Sequence, residues 1–125
     1  VIRSELGNWR PSAELRVIEP LGPLDMIRLV DEARMVLTDS GGLQKEACFL
    51  GCPCVTLREE TEWIETVQMN ANVITGGSRD AILAAVRSWL DGPSRPDFSN
   101  LAGSAPFGNG HAADAIVDAI AGIDN

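Results

Sequence analysis

Thr38-Asp39-Ser40-Gly41-Gly42-Leu43-Gln44-Lys45-Glu46 is the stretch on which the fold turns. Ahead of it lies the aliphatic run Met35-Val36-Leu37, and behind it apolar residues recur at Leu43, Ala47 and Leu50, the spacing of one helix face. A strand therefore ends near Asp39, the two glycines turn the chain, and a helix opens with its first amides unpaired. Such an opening is a seat for a phosphate, because the unpaired N–H groups and the positive end of the helix both favour an anion. Glu46 falls one turn after Gly42, on the same face. A carboxylate there would repel a phosphate it touched, yet it accepts well from the vicinal hydroxyls of a ribose. Ser-Gly-Gly followed by Glu thus reads as diphosphate plus ribose. The competing reading is a strand–loop–helix connection whose glycines serve backbone geometry alone.

Working outward, strands alternate with helices. Leu15–Ile18 reads as a short strand closed by Glu19-Pro20, and a helix is expected from about Asp25 to Ala33. Strand Met35–Thr38 and the helix from Gly42 to about Leu50 follow, broken by Gly51-Cys52-Pro53. Cys54-Val55-Thr56-Leu57 is apolar without alternation, as in a strand covered on both faces. A short helix near Glu62–Met69, a strand at Asn72–Thr75 and a helix capped by Ser78, with Ile82, Leu83, Val86, Trp89 and Leu90 along one side, complete the pattern. Residues 93–110, rich in Pro, Gly, Ser and Asn, read as a loop. A last helix, about Gly110 to Ala121, places Ala113, Ile116, Val117 and Ile120 on one face, either as core filler or as a surface for another domain. This order predicts an α/β fold with a doubly wound, parallel, Rossmann-like sheet, whose ligands bind beyond the carboxyl ends of the strands. Ser40 and Arg58 each follow a strand and face that crevice. The chain begins without Met and lacks the first βα unit of such a sheet, so it reads as a piece of a larger protein.

At 125 residues the chain has room for one core of four or five strands. Eighteen acidic against 10 basic residues give a net charge of −8, which repels a phosphate backbone and argues against nucleic acid. No apolar run reaches bilayer length, and Val1-Ile2-Arg3-Ser4 is no signal peptide, so a cytoplasmic, membrane-independent protein is expected. Cys48, Cys52 and Cys54 crowd together in apolar settings with no fourth ligand nearby, the pattern of buried reduced thiols rather than a metal site.

The blocks Ser40-Gly41-Gly42-Leu43-Gln44-Lys45-Glu46-Ala47 and Gly51-x-Pro53-Cys54-Val55-Thr56-Leu57-Arg58-x-x-Thr61-Glu62-Trp63-x-Glu65 resemble the non-hydrolysing UDP-N-acetylglucosamine 2-epimerase family. Pro20-Leu21-Gly22-x-Leu24-Asp25-Met26-Ile27 and Phe107-Gly108-Asn109-Gly110 extend the resemblance in the same order, over roughly Arg3 to Ile120. The resemblance implies that residues 1–125 are part of the C-terminal, UDP-binding half of a two-domain enzyme built like the GT-B glycosyltransferases. It implies interconversion of UDP-GlcNAc and UDP-ManNAc, or of a related UDP-2-acetamido sugar, by elimination and re-addition of UDP, and a place in cell-surface polysaccharide synthesis. By carry-over, Ser40 and the amides of Gly41 and Gly42 hold the diphosphate, Glu46 the ribose, and Arg58 supports the departing UDP. Met26 stands in the segment lining the uracil pocket. The catalytic residues belong to the absent N-terminal domain, so this piece alone is expected to be inactive. No metal or redox cofactor is implied. The implied partners are the UDP-sugar, the missing domain and a second copy of the full-length protein. Pro23 departs from the Tyr often found there, and Arg3 aligns with a His-Pro-Arg-Thr-like element. A GT-B glycosyltransferase donor domain and a non-catalytic UDP-binding remnant are the alternatives.

Several residues carry a plainer reading beside the functional one. Glu46 could be a solvated carboxylate, and Arg58 could pair with Glu59, Glu60 or Glu62. Glu62 and Glu65 are expected to orient Arg58 or cap their helix rather than to act as an acid–base pair, with Thr61 as the N-cap. His111 at the last helix start is expected to be idle. Trp63 and Trp89 are expected to pack in the core or between layers, and Trp9 to be exposed.

Overall fold

The computed structural model describes residues 10, 12–92, 107–108 and 110–122. Its elements run α1 (Pro23–Glu32), β1 (Val36–Thr38), α2 (Gly41–Phe49), β2 (Cys54–Thr56), α3 (Ile64–Gln68), β3 (Asn72–Ile74), α4 (Arg79–Asp91) and α5 (Ala112–Ala121). The strands form one parallel sheet in the order β1-β2-β3, with Val36 level with Cys54 and Cys54 level with Asn72. This is the α/β architecture expected from the alternation.

Local signals account for the boundaries. Pro23 opens α1, where its missing N–H costs nothing. Ser40 caps α2 and Ser78 caps α4, each side chain accepting a backbone N–H three residues on. The end of α2 is a Schellman turn. Gly51, at φ 66°, donates to the Cys48 carbonyl (3.1 Å), and Cys52 donates to the Ala47 carbonyl (2.8 Å). The chain is thereby turned straight into β2.

In a parallel register level residues share a face, so Val36, Cys54 and Asn72 look one way and Leu37, Val55 and Val73 the other. The first face carries the core of Val30, Val36, Ala47, Cys52 and Cys54, with Met26, Ala33, Leu43 and Leu50 packed around it. On the second face α4 lies against β2 and Val55 is fully buried, while Leu37 and Val73 at the outer strands stay exposed. Both faces of β2 are covered, as its unbroken apolar run implies.

Two expectations are corrected. Leu15–Ile18 is not a strand: it pairs with no neighbour among the described residues, and Leu15, Val17 and Ile18 are exposed. An apolar run of that length has no intrinsic reason to be extended without a ladder to join. Thr61 does not cap α3, whose N-cap position is Trp63. Its hydroxyl instead accepts the Trp63 N–H at 3.0 Å, a turn ahead of the helix. On α5, Ile116, Val117 and Ile120 are each about 60% exposed, so that face fills no core. Arg3, Trp9 and most of the 93–110 loop lie outside the described residues. Among the described residues no helix is long and apolar enough to cross a membrane.

Cys48, Cys52 and Cys54 are buried thiols. Burial pushes the Cys54 thiol up to about 11, partly offset by its hydrogen bond to Thr56 and reinforced by the neighbouring Cys52 and Cys48. Burial raises Cys48 as well. A thiol whose pKa rises on folding stabilises the fold below its unfolded value and loses that contribution as pH climbs through the folded one. Stability is therefore expected to fall between about pH 9 and 11. Thermal melts across that window should decline less steeply for Cys54→Ala; an unchanged slope would remove Cys54 as the cause.

Candidate functional site

The carboxyl ends of β1 and β2 lead to the opening of α2, and that of β3 leads to the β2–α3 connection beside it. Thr38, the last residue of β1, accepts the Ser40 N–H on its hydroxyl at 3.0 Å, which fixes the entry into the turn. Ser40 then accepts the Leu43 N–H on its side chain (3.5 Å) and the Gln44 N–H on its carbonyl (3.3 Å). The amides of Gly41 and Gly42 are left without an intrahelical partner, as at any helix start. Glu46 is exposed one turn deeper, about 6 Å further along the axis.

The connection after β2 supplies charge. Arg58, two residues beyond β2, pairs with Glu62 (Nη1 to Oε2, 3.2 Å), the orienting role expected for that glutamate. The Glu62 carboxylate lies directly against Gly41, so that a Cβ on Gly41 would overlap it. Gly76, just past β3 at φ 59°, donates to the Arg58 carbonyl at 3.1 Å, and the Glu59 carboxylate lies against it in the same way. Both glycines are therefore places where a carboxylate approaches backbone closely.

Ser40, Gly41, Arg58 and Glu62 are thus brought together, with Gly42 and Glu46 following on α2. Met26 is half-buried on α1, packed against the core. His111 is exposed and lies 3.1 Å from Asp114 at the start of α5. Trp63 and Trp89 are half-buried, as expected of residues between layers.

Sequence reasoning missed what holds the site. Gln44 is fully buried and its Oε1 accepts from the Thr61 hydroxyl (2.6 Å) and from Asn72 Nδ2 (3.3 Å). Asn72 Nδ2 also donates to the Thr66 hydroxyl (3.1 Å), while its Oδ1 accepts from the Thr56 hydroxyl (2.7 Å). Thr66 in turn donates to the Trp63 carbonyl at 2.7 Å. This network ties α2, β2, β3 and α3 to the Thr61–Trp63 turn. Its signal was present: Gln44 stands beside Ala47 and Cys48 on the buried side of α2, a polar residue in an apolar stripe. On the outer side of α2, Lys45 Nζ sits 4.4 Å from the Trp63 ring centroid, 4.7 Å from Phe107 and 5.6 Å from Phe49. Phe107 stacks edge-on to Phe49 (5.3 Å) and to Trp63 (6.0 Å). Lys45 is therefore engaged by rings, and among the described residues Arg58, through Glu62, brings a cation to the helix opening. Among the described residues no group of acidic, His or Cys side chains could hold a metal.

Fold and opening together define an α/β unit of the Rossmann-like kind with its candidate site at the strand ends. The family described as UDP-N-acetylglucosamine 2-epimerase matches residues 1–121. A UDP-2,3-diacetamido-2,3-dideoxy-D-glucuronate 2-epimerase of Pseudomonas aeruginosa is 45% identical over 108 residues, covering 86% of this chain and 29% of that protein. The UDP-N-acetylglucosamine 2-epimerase of Methanocaldococcus jannaschii is 39% identical, over 86% of this chain and 28% of its own. The crystal structure of that archaeal enzyme in complex with UDP-GlcNAc and UDP superposes with a TM-score of 0.69, over 83% of this chain and 27% of the other. The Neisseria meningitidis enzyme bound to UDP-GlcNAc superposes at 0.64 with 30% identity. The chain belongs to the UDP-N-acetylglucosamine 2-epimerase family. It spans under a third of the length of the relatives it matches.

Proposed function

We propose that this chain is the UDP-binding part of the C-terminal domain of a UDP-sugar 2-epimerase. The observation that carries the reading is the α2 opening, where Ser40 caps the helix ahead of Gly41 and Gly42 and the Arg58–Glu62 pair lies against Gly41. It gains support from a relative whose structure holds UDP-GlcNAc and UDP. In this reading the Gly41 and Gly42 amides and Ser40 hold the diphosphate, Glu46 the ribose hydroxyls, and the Met26 segment the uracil side. Arg58 stabilises the negative charge that gathers on UDP as it leaves.

The reaction proposed for the whole protein removes the proton at C2 and breaks the C1–O bond, releasing UDP and leaving a C1=C2 double bond. UDP then returns to C1 as a proton is delivered to the opposite face of C2. This chain contributes the stabilisation of the leaving group, and the proton-transferring groups belong to the companion domain. Two relatives frame the sugar: the Pseudomonas protein carries a diacetamido-glucuronate in its name and the archaeal one N-acetylglucosamine. The 2-acetamido group is common to both.

The test is isotopic. The full-length protein, incubated with a UDP-2-acetamido sugar in heavy water, is expected to place deuterium at C2 of recovered substrate and product. Transfer of the sugar without exchange at C2 would point to a glycosyltransferase donor domain and overturn the epimerase reading. UDP binding with neither exchange nor transfer would leave a non-catalytic UDP-binding module.

A further inference from the structure

Glu62 stands between two residues anchored to α2 from opposite sides. Thr61 is fastened on the inside by its 2.6 Å hydrogen bond to Gln44. Trp63 is fastened on the outside, under the Lys45 ammonium and beside Phe107. With both neighbours held, the side chain between them is directed at the helix opening, against Gly41, where Arg58 meets it. On a helix the Cα–Cβ direction leans toward the N-terminus. A carboxylate filling the space of a Gly41 Cβ therefore lies beside the first turn, close to the amides assigned above to the diphosphate.

The geometry points to Glu62 as a specificity-determining residue that competes with the diphosphate for the α2 opening and for Arg58. The inference rests on the diphosphate reading of that opening. A seated diphosphate and the Glu62 carboxylate carry like charge within a few ångströms, a repulsion that counts most where the crevice limits access of water. Binding then requires Glu62 to turn outward and Arg58 to exchange one anion for another. Glu62 and Arg58 are half and about one-third exposed, so both have room for that exchange. An anion contacting only the helix opening meets the full opposition of Glu62. A nucleoside diphosphate offsets it with contacts at Glu46 and the uracil side. Pyrophosphate brings more negative charge to the opening than UDP does, so the carboxylate opposes it more; Glu62 thus weights the site toward the nucleotide and keeps the leaving group from being held too tightly.

Glu62→Gln keeps the size and an acceptor for Arg58 and removes the charge. In calorimetric titrations of this chain, Glu62→Gln is expected to bind UDP about 3- to 10-fold more tightly than the parent sequence, as for removal of one partly screened like charge. Pyrophosphate is expected to gain by a larger factor than UDP, uridine to be unchanged, and both gains to shrink in 0.5 M salt; equal gains for pyrophosphate and UDP would remove the specificity role. Unchanged or weaker UDP binding by Glu62→Gln, with the parent sequence still binding, would overturn the inference and return Glu62 to orienting Arg58. Binding of UDP by neither protein would instead remove the diphosphate seat itself, and the inference with it.

Discussion

Replacing Asn72 by Ala is expected to lower the unfolding free energy by about 3 kcal/mol, the sum of lost buried hydrogen bonds and a small cavity. Asn72 is 2% exposed and makes three hydrogen bonds, to Gln44, Thr56 and Thr66. Removing it deprives Thr56 of its 2.7 Å acceptor in a site with no access to water, which costs more than an exposed bond would. The loss reaches the functional end of the sheet, because Gln44 and Thr66 are the groups that hold the Thr61–Trp63 turn. Chemical denaturation reads the effect directly. A loss below about 1 kcal/mol would mean the network is not a unit, since a single net hydrogen bond is worth that much.

The second large effect concerns the ligand. Glu46→Ala is expected to weaken UDP binding by about 1–3 kcal/mol, the cost of losing hydrogen bonds to a charged group, or roughly 5- to 150-fold. The control is a UDP analogue lacking both ribose hydroxyls. If Glu46 grips those hydroxyls, the analogue binds the parent sequence as weakly as UDP binds the variant, and the substitution costs it nothing more. Equal losses for UDP and the analogue would take Glu46 off the ribose hydroxyls, and tighter binding by the variant would leave it only a like-charge opposition to the diphosphate. Glu46 is exposed on α2, so the substitution leaves no buried group unpaired.

How far the residues alone disclose this arrangement depends on the range of the interaction. Strand–turn–helix order, the Ser78 cap, the Gly51 stop and the buried β2 run are all set within a few residues, and each was legible. The Ser40-Gly41-Gly42 opening was legible for the same reason. Leu15–Ile18 failed because a strand is a property of a pair, and its own letters say nothing about a partner. The Gln44–Asn72 bond joins residues 28 positions apart, and the Lys45–Phe107 contact spans still more of the chain. Neither has a local signature beyond a polar or aromatic residue in an unexpected place. The approach of Glu62 to Gly41 was hidden too. Gly41 was read as freeing its amide for a ligand, whereas the structure shows a further use, making room for a carboxylate from the β2–α3 connection.

The central claim is that the opening of α2 receives a diphosphate, and amide chemical-shift mapping of this chain during a UDP titration tests it most directly. Saturable shifts are expected to be largest at the N–H groups of Gly41, Gly42 and Leu43, with Arg58 and Glu46 responding and the far ends of α4 and α5 silent. UDP shifts that spare the Gly41 and Gly42 amides while saturating elsewhere would contradict the account.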